Sequence, residues 1–169
     1  METPVMDNQR QTELAYCAGI IDSEGCIIIA KQRNHKSRKT PMHVGILAVG
    51  MVTREPLDLL QRIFGGSIRI DKVRAPGYRP MIRWACTGRE ITTKALMQLC
   101  SFLRVKKAQA RRVLDLNLNW ETPIVRSYGV STKELQRRED LYQEVRKLNV
   151  VGVAATTKCE SSREAEAIV

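Results

Sequence analysis

The sequence predicts an α+β domain of order αββαββα, its strands joined in one four-stranded antiparallel sheet and extra helices following at the C-terminal end. Three observations predict it. β-Branched or alternating runs come in two pairs, 26–34 with 42–51 and 67–73 with 79–87. Helical patterns stand before, between and after those pairs. Turn residues separate the segments, with Gly65-Gly66 and Ala75-Pro76-Gly77 the clearest. Two hairpins can share one sheet with helices on one face, leaving the other face open to water or a ligand.

The elements follow in chain order. A first helix is expected over 9–21, rich in small and apolar residues. Ile27, Ile28 and Ile29 open the first strand, and 34–41 is a basic loop tip before the partner strand at 42–51. Thr53 is a plausible N-cap for a second helix, with Pro56 tolerated in its first turn. After the second hairpin, helical patterns run over about 90–102 and 105–120. Ser131 and Glu134 form a capping box for a last helix with Leu135, Leu141, Val145 and Leu148 on one face. Residues 150–169 lose this periodicity and read as a loosely ordered tail to a 1–149 domain.

At 169 residues and 43% hydrophobic content the chain can bury one real core. No run of 18 apolar residues exists, so no membrane span is expected, and the acidic N-terminus is unlike a secretory signal. Five cysteines without metal-site spacing read as free thiols in a reducing, intracellular compartment. The net charge of +10 is segregated. No acid occurs between Glu24 and Glu55, where Lys31, Arg33, Lys36, Arg38, Lys39 and Arg54 accumulate. Between Glu90 and Asp115 every charge is positive: Lys94, Arg104, Lys106, Lys107, Arg111 and Arg112. Clustered bases of this kind favour a polyanion, nucleic acid first. With few aromatic residues (5%) to stack on single-stranded bases, duplex DNA is the expected form. Neither a membrane nor a small-molecule substrate is expected.

The densest signal is Leu14 to Gly25. Ala15, Ala18 and Gly19 leave little side chain on the helix, so another backbone can approach closely there. Asp22 and Glu24 fall where the helix stops, at Gly25. Carboxylates delivered to one point suit a hard cation; a core helix whose acids merely end it in solvent is the alternative. The nine residues from Cys17 to Gly25 resemble the signature of the LAGLIDADG homing endonucleases. Ala18, Gly19, Ile21, Asp22 and Gly25 match it, Ile20 and Glu24 are conservative replacements, and Cys17 and Ser23 depart from it. The expected element order, over roughly 9–150, resembles the single-motif branch of that family.

That resemblance implies a homodimeric, divalent-metal-dependent enzyme that cuts both strands of a long, roughly palindromic DNA site, used in intron homing. A regulator that binds DNA without cutting, and an RNA maturase aiding intron splicing, are the alternatives. Glu24 would hold Mg2+ (or Mn2+ or Ca2+) with the Ser23 carbonyl, and Asp22 would support the turn or the dimer contact. The dimer would pack along Ala15, Ala18 and Gly19. The segment from Phe102 to Ala110 resembles one that carries a lysine near the attacking water, which makes Lys106 a catalytic candidate. Lys106 and Lys107 also open a helix, the end where the macrodipole disfavours cations, and a nearby phosphate would account for that placement; the alternative is a helix that runs on from before Phe102, with both lysines ordinary surface bases. Close relatives have a glutamine at the end of the second strand; here 49–54 has none, and only Thr53 or Arg54 stands near. For DNA contact, the resemblance selects the side of the first strand bearing Ile28, Ala30, Gln32 and Asn34. In the second hairpin Arg69 and Asp71 share a face, as do Met81 and Arg83. Lys36, Arg38 and Lys39 suit phosphates. Lys31, Arg33, Lys72, Arg74, Lys107 and Lys158 complete the expected set.

Overall fold

The computed structural model describes residues 4–32, 40–72, 77, 79–121 and 130–165; the side chains of 4–7 and 151–165 lie outside that description. The elements are α1 (Pro4–Glu24), β1 (Gly25–Gln32), β2 (Met42–Met51), α2 (Glu55–Phe64), β3 (Ser67–Ile70), β4 (Ile82–Thr87), α3 (Arg89–Leu99), α4 (Lys107–Leu118) and α5 (Thr132–Ala165). The predicted α+β order is the observed one.

The four strands form one antiparallel sheet in the order β1-β2-β4-β3, so the two hairpins meet through β2 and β4. Alternation along the strands divides the sheet into a helix-covered face and an open one. Ile27, Ile29, Leu47, Val49, Trp84 and Cys86 are buried against Ile21, Leu57, Leu60, Leu96, Leu99, Val113 and Leu116. Trp84 is fully buried and satisfies its indole by donating to the Gly65 carbonyl at 2.8 Å. Gly65, at φ 74°, ends α2 in a backbone conformation that suits glycine.

Several ends differ from the sequence reading. α1 starts before residue 9 and continues through Asp22 and Glu24, because helical hydrogen bonding runs on until β1 begins at Gly25. A Cβ at Gly25 would come within 2.5 Å of the Ile21 carbonyl oxygen, so the chain can pass from helix to strand here only as glycine. Arg54, not Thr53, is the residue at the α2 N-cap, and it makes no side-chain cap bond. The Ser131 hydroxyl does accept the Glu134 amide at 3.2 Å. The Glu134 carboxylate turns instead to Arg137 and Arg138, both at 2.7 Å. With the buried Arg138 stacked 3.7 Å from the Trp120 ring, this cluster fixes the start of α5. The helix then passes Asn149, after which the tail is expected, and reaches Ala165; no proline interrupts that stretch.

Candidate nucleic-acid interface and acidic centre

The end of α1 is locked to the segment before α4 by a reciprocal pair of contacts. The Asp22 carboxylate accepts the backbone amides of Arg104 (2.7 Å), Val105 (3.2 Å) and Lys106 (2.9 Å). In return the Lys106 ammonium donates to the carbonyls of Ile21 (3.0 Å) and Asp22 (2.5 Å), two of the last four acceptors of α1. Partial burial pushes the Asp22 carboxyl up, but the three amides and the Lys106 charge hold it below the usual carboxylate value. Lys106 is the N-cap residue of α4. A phosphate is not needed to explain a lysine at this helix start: the Asp22 carboxylate takes the amides there, and the lysine is placed over the negative end of α1, where a cation is favoured.

Glu24 behaves differently. It is exposed, and among the described residues it takes part in no hydrogen bond or ion pair. Ser23 folds its hydroxyl back onto α1, donating to the carbonyls of Gly19 (3.0 Å) and Ile20 (3.1 Å). Among the described residues no group of three or more His, Cys, Asp or Glu side chains is placed to hold a metal ion. A cation here would rest on Glu24, a main-chain carbonyl and oxygens from outside the subunit. That set is all oxygen, as a hard cation with few protein ligands requires.

The open sheet face begins at this centre. Cys26, Ile28, Ala30 and Gln32 of β1 lie beside Ala48, Ile46, Val44 and Met42 of β2. Further across are Arg83 opposite Gly50, and Arg69 opposite Arg83. Asp71 draws those bases together, accepting from Arg83 Nε and Nη2 at 3.1 and 2.9 Å and lying 3.4 Å from Arg69 Nε. Met81 lies across Gly50. Burial pushes the Cys26 thiol up, while Lys106 and Arg83 pull it down, which puts both bases within electrostatic reach of the start of β1.

The structure thus brings Asp22, Ser23, Glu24 and Lys106 together and sets Ile28, Ala30, Gln32, Arg69, Asp71, Met81 and Arg83 on one continuous face. Lys107 is half-buried and Lys72 exposed. Two expectations need correction. Lys31 projects from the helix-covered side of β1, because it alternates with Ala30 and Gln32, and it pairs with Glu139 of α5 at 2.7 Å. Ala18 is buried in the core of its own subunit and is absent from the outer flank of α1. That flank presents Ala15, Tyr16 and Gly19, and a Cβ at Gly19 would meet nothing within 4 Å. Arg33, Asn34, Lys36, Arg38, Lys39 and Arg74, and the side chain of Lys158, lie outside the described residues. Of the two residues near the missing glutamine, Thr53 is exposed and Arg54 donates to Asp58 at 3.2 Å.

Sequence reasoning missed His43. It is fully buried under α5, with Nε2 3.2 Å from Glu139 and its ring edge-on to Tyr142. A histidine between Met42 and Val44 in a strand carried no signal of that partner.

The chain matches no protein-family model and no curated protein. Solved structures do match it. It is similar to the homing endonuclease I-CvuI in complex with its target in the presence of calcium, at TM-score 0.66 and 24% identity over 83% of this chain and 84% of that one. It is also similar to the archaeal intron-encoded homing endonuclease I-Vdi141I complexed with DNA, at TM-score 0.65 and 17% identity over 82% and 85% of the two chains. A third, the LAGLIDADG homing endonuclease I-GzeII in complex with its DNA target, matches at TM-score 0.56 and 14% identity over 76% of this chain and 43% of that one. These likenesses are of fold, and the chain, with its four-stranded antiparallel sheet covered by helices, has the fold of the LAGLIDADG homing endonucleases.

Proposed function

We propose that the chain is a site-specific DNA endonuclease that works as a homodimer, makes a double-strand break with a divalent cation, and serves intron homing inside the cell. The observation that carries this reading is Glu24. It is an exposed carboxylate, unpaired among the described residues, at the junction of α1 and β1, two residues past the Asp22 carbonyl that Lys106 holds and at one end of the open sheet face. A stabilising acid would be paired, as Asp22 is; an acid left free at the edge of a surface that takes a polyanion is suited to a cation. Magnesium bound there would activate water and steady the leaving oxygen of a phosphodiester.

The chain's own groups divide the remaining work. Glu24 and the Ser23 carbonyl would hold the ion. Asp22 keeps the 104–106 segment against α1, and Lys106 presents positive charge next to the cleaved phosphate. Arg69 and Arg83 lie on a sheet face that fits the major groove, where base edges can be read. One subunit has one such acid tip, so two cuts require two subunits. Their twofold predicts a nearly palindromic target. The DNA complexes of I-CvuI and I-Vdi141I support this use of the fold.

Glu24→Gln tests it. Incubated with Mg2+ and its target duplex, the variant is expected to bind with near-unchanged affinity in a gel-shift assay and to leave no cut. Undiminished cutting would overturn the assignment, and a folded variant that no longer binds would make Glu24 a DNA-contact residue instead.

A further inference from the structure

The open face has a charged end and an apolar middle. Three cross-strand pairs of β1 and β2 occupy that middle: Cys26 with Ala48, Ile28 with Ile46, and Ala30 with Val44. All six are half-buried or exposed, on the side away from the helices. Side chains on one face of a strand repeat about every 6.8 Å, so the three pairs cover about 14 Å, or roughly four base pairs. Next to them, at the level of Gly50, the surface changes to Arg83, Arg69 and Asp71.

A contiguous apolar surface on a chain of net charge +10 needs a partner that is both anionic and locally apolar. The major groove of DNA is such a partner wherever thymine presents its C5-methyl group. Aliphatic side chains cannot grip the polar edges of guanine, adenine or cytosine, and each would leave those edges dehydrated and unpaired. The methyl is the one base feature they recognise.

Resting on the endonuclease reading above, we propose that β1 and β2 read thymine methyl groups. The target would carry A·T pairs, with thymine facing the protein, over roughly four positions in each half-site. Ile28, Val44 and Ile46 are then specificity-determining residues, and discrimination in this stretch comes from methyl burial instead of hydrogen bonding. Specific hydrogen-bonded readout is left to the two flanks of this stretch, the Arg83–Asp71–Arg69 end and Gln32.

The experiment uses the full chain. A randomised duplex library is first selected for binding, which gives a target sequence. Thymines in the A·T-rich stretch are then replaced by deoxyuridine, which removes the methyl and leaves every hydrogen-bonding edge unchanged. Affinity is expected to fall about threefold to fourfold per methyl removed, from the usual worth of one buried methyl-sized group, and not at all for replacements elsewhere in the target. Ile46→Ser is expected to shrink that thymine–uracil difference while the wild-type measurement stands independent of the variant's folding. Equal binding of the thymine and uracil duplexes, or selection of G·C pairs throughout, would overturn methyl reading and leave the nuclease reading intact. If no duplex is enriched at all, both fall together.

Discussion

Asp22 and Glu24 stand two residues apart at the end of α1, yet Asp22 accepts three backbone amides and Glu24 none. Asp22 supplies to α4 what an ordinary N-cap side chain supplies from within its own chain segment; Lys106 itself, at the cap position, makes no such bond. Asp22→Ala strips those amides of their acceptor and frees the 104–106 segment from α1. Stability is expected to fall by about 1–2 kcal/mol, the usual worth of a helix cap, seen as a lower urea midpoint. Cleavage should fall further than stability, since Lys106 would no longer be held beside Glu24. Asp22→Asn keeps an accepting oxygen and should lie between the two. An unchanged midpoint in Asp22→Ala would mean that water replaces the carboxylate without loss.

The seat of α5 on the sheet depends on His43. Burial pushes its pKa down; the hydrogen bond and charge of Glu139 pull it up, and Lys31 and Arg138 push it down again, leaving it below the ordinary value of about 6.5. The folded protein therefore holds a neutral imidazole. The unfolded chain takes up its proton at higher pH than the folded one, so stability present above about pH 6.5 is lost as pH falls through the lower, folded pKa. Glu139, held down to about 2 chiefly by Lys31, stays ionised throughout that window. Thermal melts between pH 7.5 and 5.5 should show the loss, and His43→Gln should flatten it. The one other histidine, His35, lies outside the described residues; a slope that survives His43→Gln would assign the titration elsewhere. Element type and order were readable from residue pattern because alternation in the strands and glycine stops at 25 and 65 are local signals. Long-range partners were not. Glu139 meets Lys31 and His43 across about a hundred residues, Asp22 meets 104–106 across about eighty, and Ala18 and Ala15 look alike until the fold decides which is inside. The same limit applies to Lys106: the sequence marked its position, but its orientation over the α1 carbonyls needed the tertiary contact.

At the scale of the whole molecule, a single subunit presents one acid tip at the end of a helix whose outer flank is uncovered. Tyr16 is 55% exposed there, Ala15 and Gly19 are exposed, and the position where a Gly19 side chain would begin is empty. Tyrosine and small residues on an exposed helix face suit close approach of a second helix, and a second copy of α1 would bring a second Glu24 to the same place. Gly19→Leu separates folding from pairing. Within one subunit the first atom of the new side chain has open space among the described residues, and leucine favours helix over glycine by up to about 1 kcal/mol, so the subunit should melt no lower than before. Across a helix pair the same side chain would fill the gap that permits contact. Sedimentation is expected to give the mass of a single subunit for the variant and of two for the parent, with double-strand cutting lost while the variant stays folded. A Gly19→Leu protein that still sediments as a dimer and cuts both strands would place the subunit contact on another surface, and the two acid tips would then have to reach the DNA without sharing an axis along α1.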